Sequence, residues 1–178
     1  ATIGALFGTP VAAALLFMAA QSAWAQTGDA VVIVFDGSGS MWGPLEGTRG
    51  SKLVVAREGV RRALTKLAPQ TRVGLMSFGH RRGDCGDVEV MRRAEPIDMD
   101  RLMVPLERLN PKGRGPLTLA LREAAKTLPS DASRRTLVLI HDDADNCQAD
   151  LCTLAGELRG AGIRAHVISL APKPEDVA

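Results

Sequence analysis

From Ala30 to Phe35 the chain reads Ala-Val-Val-Ile-Val-Phe with no polar side chain, and it then turns at Asp36-Gly37-Ser38-Gly39-Ser40. A strand with one wet face alternates polar and apolar residues, so an unbroken β-branched run is a strand covered on both faces. Such a strand belongs at the centre of a sheet, with helices packed above and below. Arg72 to Phe78, Thr136 to Ile140 and Arg164 to Leu170 read as further strands, and Asp87 to Met91, where Val88 and Val90 alternate with Glu89, as a short edge strand.

Between them lie helical patterns. Leu53, Ala56, Val60, Ala63, Leu64 and Leu67 fall on one stripe, with Lys52, Arg57, Glu58, Arg61, Arg62 and Lys66 elsewhere, which predicts a surface helix covering the sheet. Residues Ile97 to Leu109 form a second helix that Pro105 is expected to kink or split, because proline removes a backbone donor. Pro116 to Leu128 makes a third, with Gly115 at its N-cap, and Asp150 caps a fourth that stops at Gly160. Strands alternating with helices predict an α/β fold in three layers, around a doubly wound, mostly parallel, Rossmann-like sheet with one antiparallel edge strand. In such a sheet ligands gather at the carboxyl ends of the central strands. Asp36 and Asp142 reach that rim from separate strands.

The Asp-x-Ser-x-Ser turn offers three side-chain oxygens from alternate positions, and Gly37 and Gly39 let the backbone curl so that they point inward. Hard oxygens in this pattern suit Mg²⁺ or Mn²⁺, which keep water in their remaining places. The plainer alternative is a turn whose serines satisfy backbone groups.

Three segments together resemble the von Willebrand factor A domain family and its metal-ion-dependent adhesion site. They are Val31-Val32-Ile33-Val34-Phe35-Asp36-Gly37-Ser38-Gly39-Ser40-Met41, then Asn110-Pro111-Lys112-Gly113-Arg114-Gly115-Pro116-Leu117, then Leu139-Ile140-His141-Asp142. The similarity runs from about Asp29 to Leu170. Cys85 and the closely spaced Cys147 and Cys152 look like a bacterial exported subgroup with a further cysteine and strand-helix unit beyond the present end, which implies C-terminal truncation. The resemblance implies helices around a six-stranded sheet, and a metal held by Asp36, Ser38, Ser40 and Asp142. An acidic side chain of a partner protein would complete the coordination. Family members usually place Thr where this chain has Gly115, and glycine has no oxygen to offer, so weakened metal binding is expected. Thr118 is not taken as its substitute.

A binding module is therefore expected rather than an enzyme. Trp42, His80, Arg81, Arg114 and His141 are candidate partner contacts. Solvated charge, a solvated loop histidine and, for Trp42, a core position are the respective plainer readings. Asp142, Asp143, Asp145 and Asp150 suggest a calcium loop, but the EF-hand glycine and glutamate are missing, and the acids beyond Asp142 read as a solvated rim and as helix N-terminal charge. Two other classes compete. One is a metal-independent scaffold of the same fold. The other is a metal-dependent phosphoryl-transfer enzyme with Asp36 as nucleophile and Asp142 on the metal. Walker-type and Gly-x-Ser-x-Gly patterns are absent, which argues against nucleotide and serine-hydrolase chemistry.

Composition narrows the partners and the compartment. With 22 Lys and Arg against 20 Asp and Glu, the net charge of +2 gives no electrostatic reason for a nucleic-acid partner, and only Phe35, Trp42 and Phe78 follow the first 26 residues as aromatics. Residues 1–25 are mostly apolar up to Ala23-Trp24-Ala25, a small-x-small pattern read as a signal peptide, with an uncleaved membrane anchor as the alternative. The first charge is Asp29. The expected organisation is a leader at 1–25, the family-like domain at 29–170 and a tail at 171–178, in an exported protein of the periplasm or the extracellular space. There Cys85, Cys147 and Cys152 could pair. Cys147 and Cys152 are near enough in sequence to bridge, and the odd count also permits an outside partner.

Overall fold

The computed structural model describes residues 28–170 apart from residue 148, so the expected leader at 1–25 and tail at 171–178 lie outside the described residues. Within them five strands form one sheet in the order β3-β2-β1-β4-β5. These are β1 (Ala30–Asp36), β2 (Arg72–Phe78), β3 (Val88–Pro96), β4 (Arg135–His141) and β5 (Ile163–Ser169). All neighbours are parallel except β3, which runs antiparallel to β2 at one edge. The expected doubly wound arrangement is therefore present, with five strands among the described residues rather than the six the family resemblance implied.

Period-two geometry explains why β1 is apolar throughout. Val32 and Val34 point to one face, where Met76, Phe78, Leu137 and Leu139 join the helices α3 (Leu117–Thr127) and α4 (Leu151–Gly160). Ile33 and Phe35 point to the other, against α1 (Lys52–Leu64) and α2 (Met99–Arg108) through Leu53, Val60, Leu102 and Leu106. Each face buries an aliphatic layer, and no side of β1 is left for a polar residue.

Three local expectations change. The edge strand continues to Pro96, with register shifts between Val73 and Met76 that break the alternation and hide its second half from a period-two reading. Helix α2 runs through Pro105 unbroken. Arg101, whose carbonyl loses its helical partner there, lies on the exposed side of α2, where water can bond it. Helix α3 begins after Pro116, so Gly115 precedes the N-cap instead of forming it. Asp150 does cap α4, accepting from the Thr153 amide at 3.0 Å.

The chain winds outward from β1 to β2 and β3, then returns to place β4 on the other flank of β1. The carboxyl ends of β1 and β4 thus meet where the winding direction reverses, the point at which an open α/β sheet leaves a crevice.

Candidate functional site

Asp36 ends β1 and is only 2% exposed. Its Oδ1 accepts the Ser38 amide at 2.7 Å, a tight side-chain turn that starts the loop. A 3-10 turn over Gly39–Trp42 follows, and fully buried Met41 pins it into the α1 face of the core. Neighbouring rim segments lace the loop in place. The Gly37 amide donates to Phe78 O at 2.8 Å, Lys112 N to Gly37 O at 3.2 Å, and Gly39 N to Gly113 O at 3.2 Å. Two glycines are required by this lacing. A Cβ on Gly37 would meet His80 Cβ and Phe78 O at 2.7 Å, and Gly79 has φ +73° with Arg114 O at 2.2 Å from any Cβ.

This frame gathers the oxygens. Ser38 Oγ and Ser40 Oγ stand 2.9 Å apart, and Ser40 Oγ donates to Asp142 Oδ1 at 2.8 Å. Asp142 follows β4, and its side chain is fully buried. Burial pushes the Asp36 carboxyl up to about 6; the Ser38 hydrogen bonds pull it down, and the charge of Asp142 adds to the rise. Four oxygen-bearing side chains, two of them carboxylates in poor contact with water, make a place where positive charge is stabilising. One cation is already there: Lys52 Nζ lies 2.8 Å from Asp142 Oδ2.

Lys52 is a neighbour of the rim oxygens that the sequence did not point to. Its place on the polar side of an amphipathic helix marked it as solvated, and only the fold brings it beside a residue 90 positions away. Asn146 went unremarked in the sequence, where Asp145 stood only among the acids of the rim and the helix N-termini. Asp145 Oδ2 accepts the Thr118 amide at 2.6 Å, capping α3 from another loop, and its Oδ1 accepts Cys147 N at 2.8 Å. Asn146 Oδ1 accepts the Gly115 amide at 2.9 Å. Both residues tether rim loops, and Asp145 does so as charge at the N-terminal end of α3 rather than as a solvated acid.

At Gly115 itself a Cβ would find Phe78 Cε2 at 3.5 Å and Asn146 Oδ1 at 3.9 Å, ordinary contacts, so a larger residue fits there. The Thr118 hydroxyl is buried without a hydrogen-bond partner and is not among the converging oxygens described above.

The partner-contact candidates divide. Trp42 is 52% exposed, with its indole N–H donated to Pro111 O at 2.9 Å; it stands on the rim and is not the core residue that was the plainer reading. Arg114, in the segment whose Pro111 accepts that bond, is exposed. His141 is half-buried, its Nδ1 2.7 Å from Asp143 O. His80 and Arg81 both pair with local carboxylates, His80 largely buried and Arg81 at the surface. His80 Nε2 pairs with Glu89 at 2.9 Å, and Arg81 Nε lies 3.0 Å from the fully buried Asp87. Asp87 also accepts the Arg81 and Arg82 amides. Burial alone would raise that carboxyl, but these hydrogen bonds overcome it and hold it below its usual range. His80 and Arg81 thus take part in building the loop, while Arg81 keeps part of its side chain at the surface.

A disulfide between Cys85 and Cys147 crosses the rim, leaving Cys152 exposed and free, so the bridge considered between Cys147 and Cys152 is not formed. It joins the loop after β2 to the loop after β4. The Asn110–Pro116 segment lies between them, with Gly113 N donated to Gly79 O at 2.7 Å.

The von Willebrand factor type A domain profile matches residues 31–144. No curated protein sequence matches significantly. Among solved structures, BatB from Bacteroides thetaiotaomicron superposes with TM-score 0.63 at 22% identity, over 80% of this chain and 66% of that one. The manganese-loaded TRAP protein of Plasmodium vivax gives TM-score 0.58 at 17% identity, over 82% and 58%. Proximal thread matrix protein 1 of the mussel byssus, with a zinc-occupied adhesion-site motif, gives 0.61 at 14%, over 80% and 36%. This chain therefore spans less than two thirds of each of these three relatives, and at such identities they speak to fold alone. Profile match, strand order and the rim at β1 and β4 agree, and the chain belongs to the von Willebrand factor type A domain family.

Proposed function

We propose that this domain is an exported binding module that recognises a protein partner through a divalent ion held at the rim by Asp36, Ser38, Ser40 and Asp142. The observation that carries the reading is the oxygen spacing. Ligands at 2.0–2.1 Å around an octahedral Mg²⁺ stand about 2.9 Å apart along each edge. Ser38 Oγ, Ser40 Oγ and Asp142 Oδ1 converge as hydrogen-bonded neighbours 2.9 and 2.8 Å apart, a spacing compatible with such a shell. The donor set is all oxygen, which favours Mg²⁺ or Mn²⁺ over a softer-site metal. When bound, the ion would supply a Lewis-acidic position to which a carboxylate of the partner can add.

Ser40 is exposed, so the site opens to solvent at a side from which such a group can arrive, and Trp42 and Arg114 are exposed residues of the neighbouring segments. Manganese and zinc in two structural relatives support the metal reading by analogy of fold. Export is supported by the disulfide, which persists in oxidising compartments. A nucleophilic role for Asp36 is disfavoured because its carboxylate is 2% exposed and already accepts the Ser38 amide.

Calorimetric titration with Mn²⁺ tests the site. Wild type should bind the ion and Asp36→Ala should not, and binding to carboxylate-bearing peptides should disappear on chelation. Ion binding indifferent to Asp36→Ala would remove the assignment.

A further inference from the structure

Lys52 is the first residue of α1, and its position runs against helix electrostatics. The N-terminal end of a helix carries partial positive charge, and the first turn of α1 contains no acidic residue to offset an ammonium. A lysine so placed normally points its head into water. Here the side chain is only 17% exposed, and Nζ lies 2.8 Å from Asp142 Oδ2. Asp142 has no exposure of its own, so a carboxylate there depends wholly on protein partners. Its two oxygens are divided between Ser40 Oγ and Lys52 Nζ.

We propose that Lys52 is a tethered cation that holds Asp142 in the metal-free domain and surrenders that contact when a divalent ion enters, so that Lys52 sets the ion affinity of the site. This rests on the metal-site reading above. An ion among Ser38, Ser40 and Asp142 would share one buried carboxylate with the ammonium, and two cations so close in a poorly solvated site repel strongly. Ion binding is then an exchange of cations. The chain that lacks the usual hydroxyl at Gly115 also carries its own competitor, and both features weaken retention of the ion.

The test uses the whole chain and Mn²⁺ as probe. Lys52→Met keeps volume and removes charge, and should lower the Mn²⁺ Kd at least tenfold, about 1.4 kcal/mol. Lys52→Arg keeps the charge and should stay near wild type. In the metal-free state Lys52→Met should melt lower than wild type and regain more on adding Mn²⁺. The double variant Lys52→Met with Asp36→Ala should not bind. If Lys52→Met binds Mn²⁺ no more tightly while Asp36→Ala still abolishes binding, the lysine proposal falls and the metal site stands. If no variant binds, or Asp36→Ala has no effect, both fall.

A measurement on wild type decides the matter even where Lys52→Met does not fold. In a Mg²⁺ titration followed by NMR, the Lys52 ammonium signal should move to the position of a free lysine as the loop amides of Ser38 and Ser40 shift. Loop amides that saturate while the ammonium signal stays fixed would overturn the exchange.

Discussion

Removing the Cys85–Cys147 bridge offers the most quantitative test of how the rim is held. The two cysteines are 62 residues apart, and the segment between them contains β3, α2, α3 and β4. Cross-linking restricts the unfolded chain, and the loop-closure relation for this separation gives about 14 cal/mol/K, or about 4 kcal/mol at room temperature. That is a large share of the ~5–15 kcal/mol by which domains are stable. The comparison is best made in a Cys152→Ser background, because the free thiol at Cys152 can exchange with the disulfide. Urea unfolding of that protein and of its Cys85→Ala/Cys147→Ala variant should differ by about 4 kcal/mol. Hydrogen exchange should accelerate most at the Gly113 and Gly115 amides, whose acceptors Gly79 O and Asn146 Oδ1 belong to the two loops the bridge joins. A difference below about 1 kcal/mol would refute the reasoning, since it would mean that the loop is already constrained in the unfolded ensemble.

Gly115→Thr should tighten Mn²⁺ binding about tenfold, on the scale of a ligand-shell change, and leave the fold intact, because its Cβ meets only ordinary contacts. Gly115→Ala, measured beside it, should leave affinity unchanged; equal effects of the two would show that the hydroxyl is irrelevant. The metal-free protein should also carry a pH signature of Asp36. With its folded pKa raised from 3.8 to about 6, the native state takes up a proton that the unfolded chain does not, so stability from this residue falls as pH rises through that interval. Wild type measured against Asp36→Asn should therefore lose about 2 kcal/mol between pH 4 and 7, and a flat difference would contradict the burial of Asp36.

Much of the architecture was legible in local pattern because burial on two faces leaves a mark on every residue of a strand. β1 could be placed at the sheet centre from six apolar residues, and α1 from its stripe, since periodicity of 2 or 3.6 is a local property. Asp36, Ser38 and Ser40 were visible for the same reason, as they lie on one turn. The second half of β3 was not, because a register shift broke its alternation.

What the sequence by itself determined, then, is the elements, their alternation and, with the family resemblance, the four oxygen-bearing residues of the rim. Tertiary structure alone decided which other distant groups join them there. Lys52 reaches Asp142 from the far side of the loop, Asp145 caps a helix 27 residues before it, and Cys85 chooses Cys147 over leaving it to its near neighbour Cys152. The physical reason is that a charge or thiol shows no periodicity of its own. Its state depends on which oxygen, amide or sulfur the folded chain brings within about 3 Å, and that distance belongs to the packing of whole elements.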